Sequence, residues 1–335
     1  MSKKKIVVIG GGNGSAICLE GLKKYADKFS ISAVISTSDS GGSSGKLRQE
    51  FHTPPPGDIL RAILSLSKYD YQTLRRIFYQ PRFQNLGKLN SHNLGNLFLT
   101  LASQYSGSFL RALEALSQSV EAQGKVYPVM LSSTDLVAEL DNGKIVRTEA
   151  FIDKPKYNRG WKIKKVWLEP NCEAYAEARQ AIETADYIIL SPGSLYTSII
   201  ATLLPTGIKQ AIDKRRVSKD GTRHDSVESN KKAKIIYVAG NAYRLDGETG
   251  PEKLSDTILH LERYLPCQLD MVIYNNHKLT KAQQAKYKEK NWGVIEFDAN
   301  NLKPFNIKSF DFEKNGIGLD PNKLGKFFAS ILPKL

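Results

Sequence analysis

Short apolar runs alternate along the chain with longer stretches in which apolar residues return every three or four positions. The runs fall at residues 5–9 (KIVVI), 31–36 (ISAVIS), 186–190 (DYIIL), 234–238 (KIIYV) and 270–274 (DMVIY). They are of strand length and rich in β-branched residues, which predicts strands. Helical spacing predicts helices over about 15–25, 59–67, 71–80, within 91–105, and over 109–123, 172–185, up to 203, and 253–264. Strands alternating with helices imply a Rossmann-like, doubly wound α/β fold on a mostly parallel sheet covered on both faces. One stretch breaks the pattern. Residues near 126–170 alternate apolar and polar around Asp141-Asn142-Gly143, a strong hairpin signal, so an antiparallel element is expected to decorate the main sheet. There is no internal repeat, and a single domain over 1–335 is expected.

Composition narrows the class. The 335 residues are 41% hydrophobic, enough for a substantial core. No run of 18 apolar residues predicts a membrane span, and the apolar run after the first lysines is too short for a signal peptide. Cys18, Cys172 and Cys267 have neither CxxC nor metal-ligand spacing, which points to buried thiols and a cytoplasmic protein. The net charge of +14 is partly local: residues 213–234 carry eight basic and four acidic side chains and almost nothing apolar. A charged, flexible, solvated insertion accounts for that segment. Without an RNA-recognition signature, zinc-finger spacing or a basic helix interleaved with aromatics, nucleic acid is not the expected partner. The remaining excess suits small anionic ligands such as phosphates.

The loops after the strands hold the candidate chemistry. GGGNG follows the first strand, SDSGGSSG the second, SPGSLYTS the run DYIIL, and AGN the run KIIYV. In a parallel sheet these positions lie at the carboxyl ends, where ligands bind, and small residues let backbone amides approach an anion. Gly11, Gly12, Asn13 and Gly14 are candidates to cradle a phosphate, although a plain tight turn explains GGGNG as well. Asp39 stands where a ribose-binding acid sits, or caps a turn. Gly42, Ser43, Ser44 and Lys46 follow it. Arg48 and Arg61 could stabilise moving charge if the protein is an enzyme, and Asp39 with Asp58 could hold Mg²⁺; Asp58 could instead cap its helix. His92, Asn93 and Asn96 stand at the start of a predicted helix. Gly193, Ser194, Tyr196, Thr197 and Asn241 complete the candidates.

In this order and spacing, GGGNG, SDSGGSSGKLR, PPPGDI, HNLGN, LVAELDNGKIVR and SPGSLYTSI resemble the CofD/YvcK family, over residues 5–274 at least. The branch resembled most is the YvcK type, the gluconeogenesis factors; the other is 2-phospho-L-lactate transferase, which makes a precursor of the deazaflavin cofactor F420. The resemblance implies a Rossmann-like sheet with a nucleotide at its switch point, and for the YvcK branch a UDP-sugar and a role in carbon metabolism, cell-wall supply and cell shape. It also implies a homodimer. Three departures stand out. The family's Asp-Asp before Gly-Gly is here Asp39-Ser40, which puts metal-assisted transfer in doubt. The run after PPPG is Asp58-Ile59-Leu60-Arg61 in place of one resembling Asp-Arg-Asn. The family's Met-Thr-Gln-Pro-Gly-Glu-Thr is replaced by a run ending Gly247-Glu248-Thr249. The alternatives are thus a UDP-sugar-binding regulator and an Mg-dependent phospholactyl transferase. A dinucleotide oxidoreductase stays an alternative, since the first turn resembles such sites, although no catalytic proton donor with a partner stands out.

Overall fold

The computed structural model describes residues 2–214 and 233–335, and the charged segment expected at 213–234 lies, but for its edges, outside them. Twelve strands occur among the described residues: β1 (Lys4–Gly10), β2 (Phe29–Ile35), β3 (Lys125–Pro128), β4 (Asp135–Leu140), β5 (Ile145–Arg147), β6 (Ile163–Glu169), β7 (Tyr187–Leu190), β8 (Lys234–Ala239), β9 (Ala242–Arg244), β10 (Met271–Asn275), β11 (Trp292–Val294) and β12 (Ile307–Phe310). Seven of them form the main sheet in the order β12-β10-β8-β7-β1-β2-β3, and every neighbouring pair is parallel. From β1 the chain first steps outward through β2 to β3, then returns to the other side of β1 with β7. The direction of winding reverses between β1 and β7, which makes that crevice the switch point of a Rossmann-like fold.

Alternation along the strands feeds two cores. Ile6 and Val8 of β1 enter one, with Leu19, Ile59, Ile63 and Phe328; Val7 and Ile9 enter the other, with Leu136, Val166, Ile199 and Ile258. Two buried faces explain why these strands read as near-continuous apolar runs. The antiparallel sheet β5-β4-β6 packs on the second core, and its first turn is closed by the Gly143 amide donating to the Leu140 carbonyl (2.9 Å). It begins later than expected. Residues 125–128 belong to the main sheet, paired in parallel with β2, because a two-residue period does not distinguish an edge strand from a hairpin arm. Cys18 and Cys172 are buried, whereas Cys267 is half-buried.

The serine-glycine tract is a loop only as far as Gly41. Gly42–Phe51 is a helix, α2, after α1 (Gly12–Lys23) and before α3 (Gly57–Leu66). Glycine and serine favour helix weakly, so packing holds this one. Ser43, Ser44, Gly45 and Leu47 are buried, and a Cβ at Gly45 would stand 2.1 Å from the Ser40 carbonyl oxygen.

Candidate functional site

A cavity of about 550 Å³ opens at the carboxyl ends of β1, β7 and β8. Its floor is made of loops that interlock through their glycines. A Cβ on Gly14 would lie 1.6 Å from the Pro192 carbonyl oxygen, so only glycine lets the first turn of α1 rest against the loop after β7. Gly240, after β8, packs on the other side of Pro192. Gly12 sits at φ +63°, a left-handed conformation that turns the chain sharply into α1. Gly11 caps that helix without a side-chain bond, and its first turn carries no acidic residue. The first-turn amides of α1 therefore have no side-chain acceptor, and Gly12, Asn13 and Gly14 line the cavity.

A wall of carboxyl groups stands across from these amides. Asp39 accepts from the Gly41 amide (2.8 Å), and burial, reinforced by the charge of Asp58, pushes its pKa up to about 6. Asp58 lies in the first turn of α3 and does not cap it; its side chain packs on Gly11. Arg61, one turn on, lies 3.5 Å from Asp58, stacks on the Tyr79 ring (4.6 Å to its centroid) and hydrogen-bonds the Tyr79 hydroxyl. Glu149 comes from a separate short helix, Glu149–Asp153, and reaches the same wall by accepting from the Ser40 amide (3.3 Å). Burial, then the charges of Asp39 and Asp153, push it to about 8. Such carboxyls hold protons near neutrality and so both donate to and accept from hydroxyl-rich ligands.

The third side is formed by the loop after β8. Glu248 accepts from the amides of Tyr196 (3.1 and 3.2 Å) and Thr197 (3.0 Å) at the start of the helical turn Leu195–Ile200. The protein's own carboxylate thus occupies the amides that a diphosphate would seek there. Burial pushes Glu248 to about 7 against the pull of those amides. Arg159, Lys162 and Arg244 form a basic rim; Arg244 is paired with Asp153 and Asp246, both at 3.0 Å. Tyr243 and Trp292 add flat apolar surface.

Of the residues singled out from sequence, Gly11, Gly12, Asn13, Gly14, Asp39, Asp58, Arg61, Gly193, Ser194, Thr197 and Asn241 line this cavity. The others lie outside its lining. Ser44 buttresses Asp39 from behind through a side-chain hydrogen bond. Gly42 and Lys46 are exposed on α2. Ser43 hydrogen-bonds His92 Nδ1 (2.8 Å) and accepts from the Asn96 amide group (3.1 Å), while Asn93 caps the helix Leu94–Ser106; all four are buried. Arg48 is bound to Asp135 (2.9 Å) and the Thr134 carbonyl (2.7 Å), tying α2 to β4. The Tyr196 side chain runs into the core, with its hydroxyl at His260 Nδ1 (2.8 Å). Sequence reasoning missed Glu149, Asp153, Arg159, Tyr243 and Trp292, which no motif marks. It also missed Glu248, whose signal was the Gly-Glu-Thr shared with the family run. Among the described residues, no group of three or more His, Cys, Asp or Glu is placed to hold a metal ion.

Comparison with known proteins agrees with this architecture. The family described as 2-phospho-L-lactate transferase CofD matches residues 6–220. A gluconeogenesis factor of Bacillus subtilis is 33% identical over 98% of this chain and 98% of its own. One from Halalkalibacterium halodurans is 34% identical over 92% and 88%. The crystal structure of a UPF0052 family member from Bacillus halodurans superposes with a TM-score of 0.84 at 30% identity, covering 98% of this chain and all of that one.

Proposed function

Because this chain belongs to the CofD family and its relatives include gluconeogenesis factors, we propose that it is a nucleotide-sugar-binding regulator of carbon metabolism, cell-wall supply and cell shape, with a UDP-sugar as ligand. One observation carries the reading: a single cavity sets the unsatisfied amides of the α1 N-terminus opposite a wall of protonatable carboxyls. The amides of Gly12, Asn13 and Gly14 suit a diphosphate. Asp39 and Glu149 suit ribose or sugar hydroxyls, and Tyr243 with Trp292 offer surface for a base.

A thermal-shift screen against UDP-sugars, NAD(P), GTP and deazaflavin precursors, with and without Mg²⁺, tests this. A ligand that binds only the folded state raises the melting temperature by mass action. The expected result is a shift with a UDP-sugar that weakens in Gly12→Val and Asp39→Ala. No shift with any nucleotide would overturn the proposal.

The family description and the Asp39–Asp58 wall also favour a second reading, a phospholactyl transferase. Two repelling carboxylates facing a phosphate seat suit Mg²⁺, which takes one or two carboxylates and completes its shell with phosphate and water. Asp39 and Asp58 would hold the ion, which would neutralise phosphate charge, and Arg61, close to Gly12, would orient the phosphate. Turnover of a deazaflavin acceptor would promote this reading over the first.

A further inference from the structure

The helix Leu94–Ser106 carries large apolar side chains on its outer face. Its inner face, with Gly95, Asn96, Leu99, Thr100 and Ser103, is buried against the fold. Its outer positions are Leu94, Phe98, Leu101 and Tyr105, all exposed, Tyr105 to 91%. These follow one another at helical spacing, where a helix on a protein surface ordinarily carries polar side chains. Just before it, residues 80–91 form a protruding loop in which every residue but Phe83 is exposed. The Phe83 amide donates to the His92 carbonyl (2.9 Å) and the Ser91 amide to the Phe83 carbonyl (3.0 Å), so the base of the loop is closed. Its tip carries Leu86, 54% exposed, and Leu89 on either side of Gly87. Ile77, in the turn Arg75–Tyr79 that packs against this helix, is also exposed. Seven exposed apolar side chains between residues 77 and 105 mark an interaction site.

Charge identifies the partner. Residues 71–110 contain Arg75, Arg76, Arg82 and Lys88 and no acidic residue. Arg76, Arg82 and Lys88 are exposed beside the apolar side chains. Two copies of this face meeting about a twofold axis would set basic against basic. A protein partner would need acidic groups matched one by one to Arg76, Arg82 and Lys88. A fluid anionic surface accepts exposed leucines and the nearly fully exposed Tyr105 at its boundary while its headgroups meet the basic side chains. We propose that the outer face of Leu94–Ser106 and the loop at 80–91 dock the protein reversibly onto an anionic lipid surface. Among the described residues no helix is long and apolar enough to cross a membrane, so the contact is interfacial.

Co-sedimentation of the full chain with vesicles tests this, comparing phosphatidylcholine alone with an equimolar mixture of phosphatidylcholine and phosphatidylglycerol. The expected result is binding to the anionic vesicles that weakens with added salt. Partition should fall about tenfold in Leu86→Ser/Leu89→Ser and about fivefold for each of Arg82→Gln and Lys88→Gln. Leu86, Leu89 and Lys88 are exposed, so those variants should keep the wild-type melting temperature and nucleotide-induced shift; Arg82 also donates to the Ser91 carbonyl (2.6 Å), so the melting temperature is measured beside its partition. Equal sedimentation with both vesicle types, or binding that these substitutions leave unchanged, overturns the proposal. A dimer in light scattering that Leu86→Ser/Leu89→Ser converts to monomer reassigns the face to a second copy. Binding of polyglutamate through the same residues without any vesicle binding reassigns it to an acidic protein.

Discussion

Replacing Glu248 with Gln removes a buried charge while keeping the side chain's shape. Burial raises the Glu248 pKa from 4.5 to about 7, so the folded protein holds this proton more tightly than the unfolded chain does. Below pH 4.5 both states are protonated and the group costs nothing. Above it the unfolded chain ionises first, so stability falls, and the loss is complete once the folded form ionises in its buried site above about pH 7. At 1.36 kcal/mol per pH unit, the loss is about 3 kcal/mol between pH 4.5 and 8, or roughly 4 °C in melting temperature for a chain of this length. The amide side chain of Glu248→Gln can still accept from the Tyr196 and Thr197 backbone through one oxygen, because Oε2 of Glu248 already accepts from both. At pH 5 the variant should therefore be close to wild type, weaker by about 1 kcal/mol at most for the poorer hydrogen bonds. At pH 8 it should be more stable by about 2 kcal/mol. Asp39 and Glu149 titrate over the same range but are present in both proteins and largely cancel in the difference. Urea unfolding at pH 5, 6, 7 and 8 reads that difference directly. Parallel curves, with a gap that does not change with pH, would refute the idea that Glu248 ionises in a buried seat.

Three further outcomes follow from contacts in and around the site. Gly14→Ala drives a methyl group into the Pro192 carbonyl, backbone against backbone, and should cost about 3 kcal/mol and abolish the nucleotide-induced thermal shift. Glu313→Gln sets an amide group among donors that now share one carboxylate: Asn241 (3.1 Å), Asn275 (2.7 Å) and the Gly318 amide (2.5 Å). It should destabilise by about 2 kcal/mol and, by loosening Asn241 at the cavity wall, weaken nucleotide binding measured by calorimetry. Arg48→Ala breaks a tether whose partner Asp135 is nearly half exposed, so the loss should be about 1 kcal/mol in urea unfolding, with nucleotide affinity unchanged.

The fold was legible because both faces of the main sheet are buried, so the central strands read as short, mostly apolar runs of strand length. Asp141-Asn142-Gly143 marked the hairpin for the same local reason. The tract from Thr37 to Arg48 was less legible. Its composition is that of a loop, and the helix at Gly42–Phe51 exists because Leu47 and the small residues beside it find a packed surface, which is information held by distant segments. His92, Asn93 and Asn96 illustrate the converse. They rank as candidate ligands in the sequence, although a lone histidine is more often structural, and they lie outside the cavity lining, in a buried network that joins the start of α2 to the start of Leu94–Ser106. Local spacing shows that polar residues cluster at a helix start; it does not show whether they face a cavity or a neighbouring helix.

Ser40 shows why a motif's missing acid is a weak guide to a site's charge. Along the chain the second carboxylate of the family's pair is absent. In space, the Ser40 hydroxyl accepts from the Ala150 amide (3.0 Å) and its own amide donates to Glu149, so the position that lacks a carboxyl holds another in place. These Ser40 contacts bring Glu149 to the wall that holds Asp39, close enough for Glu149 to feel its charge although the two are far apart in the chain. Glu248 belongs to the same logic. Its carboxylate fills an anion seat at the Leu195–Ile200 turn and leaves the α1 amides to a ligand, so the chain itself selects which of two glycine loops a phosphate would meet. Substituting Ser40 by Asp would set a second acid beside Glu149, whereas the serine positions Glu149 through the Ser40 and Ala150 amides, so the chain carries it without losing the negative wall.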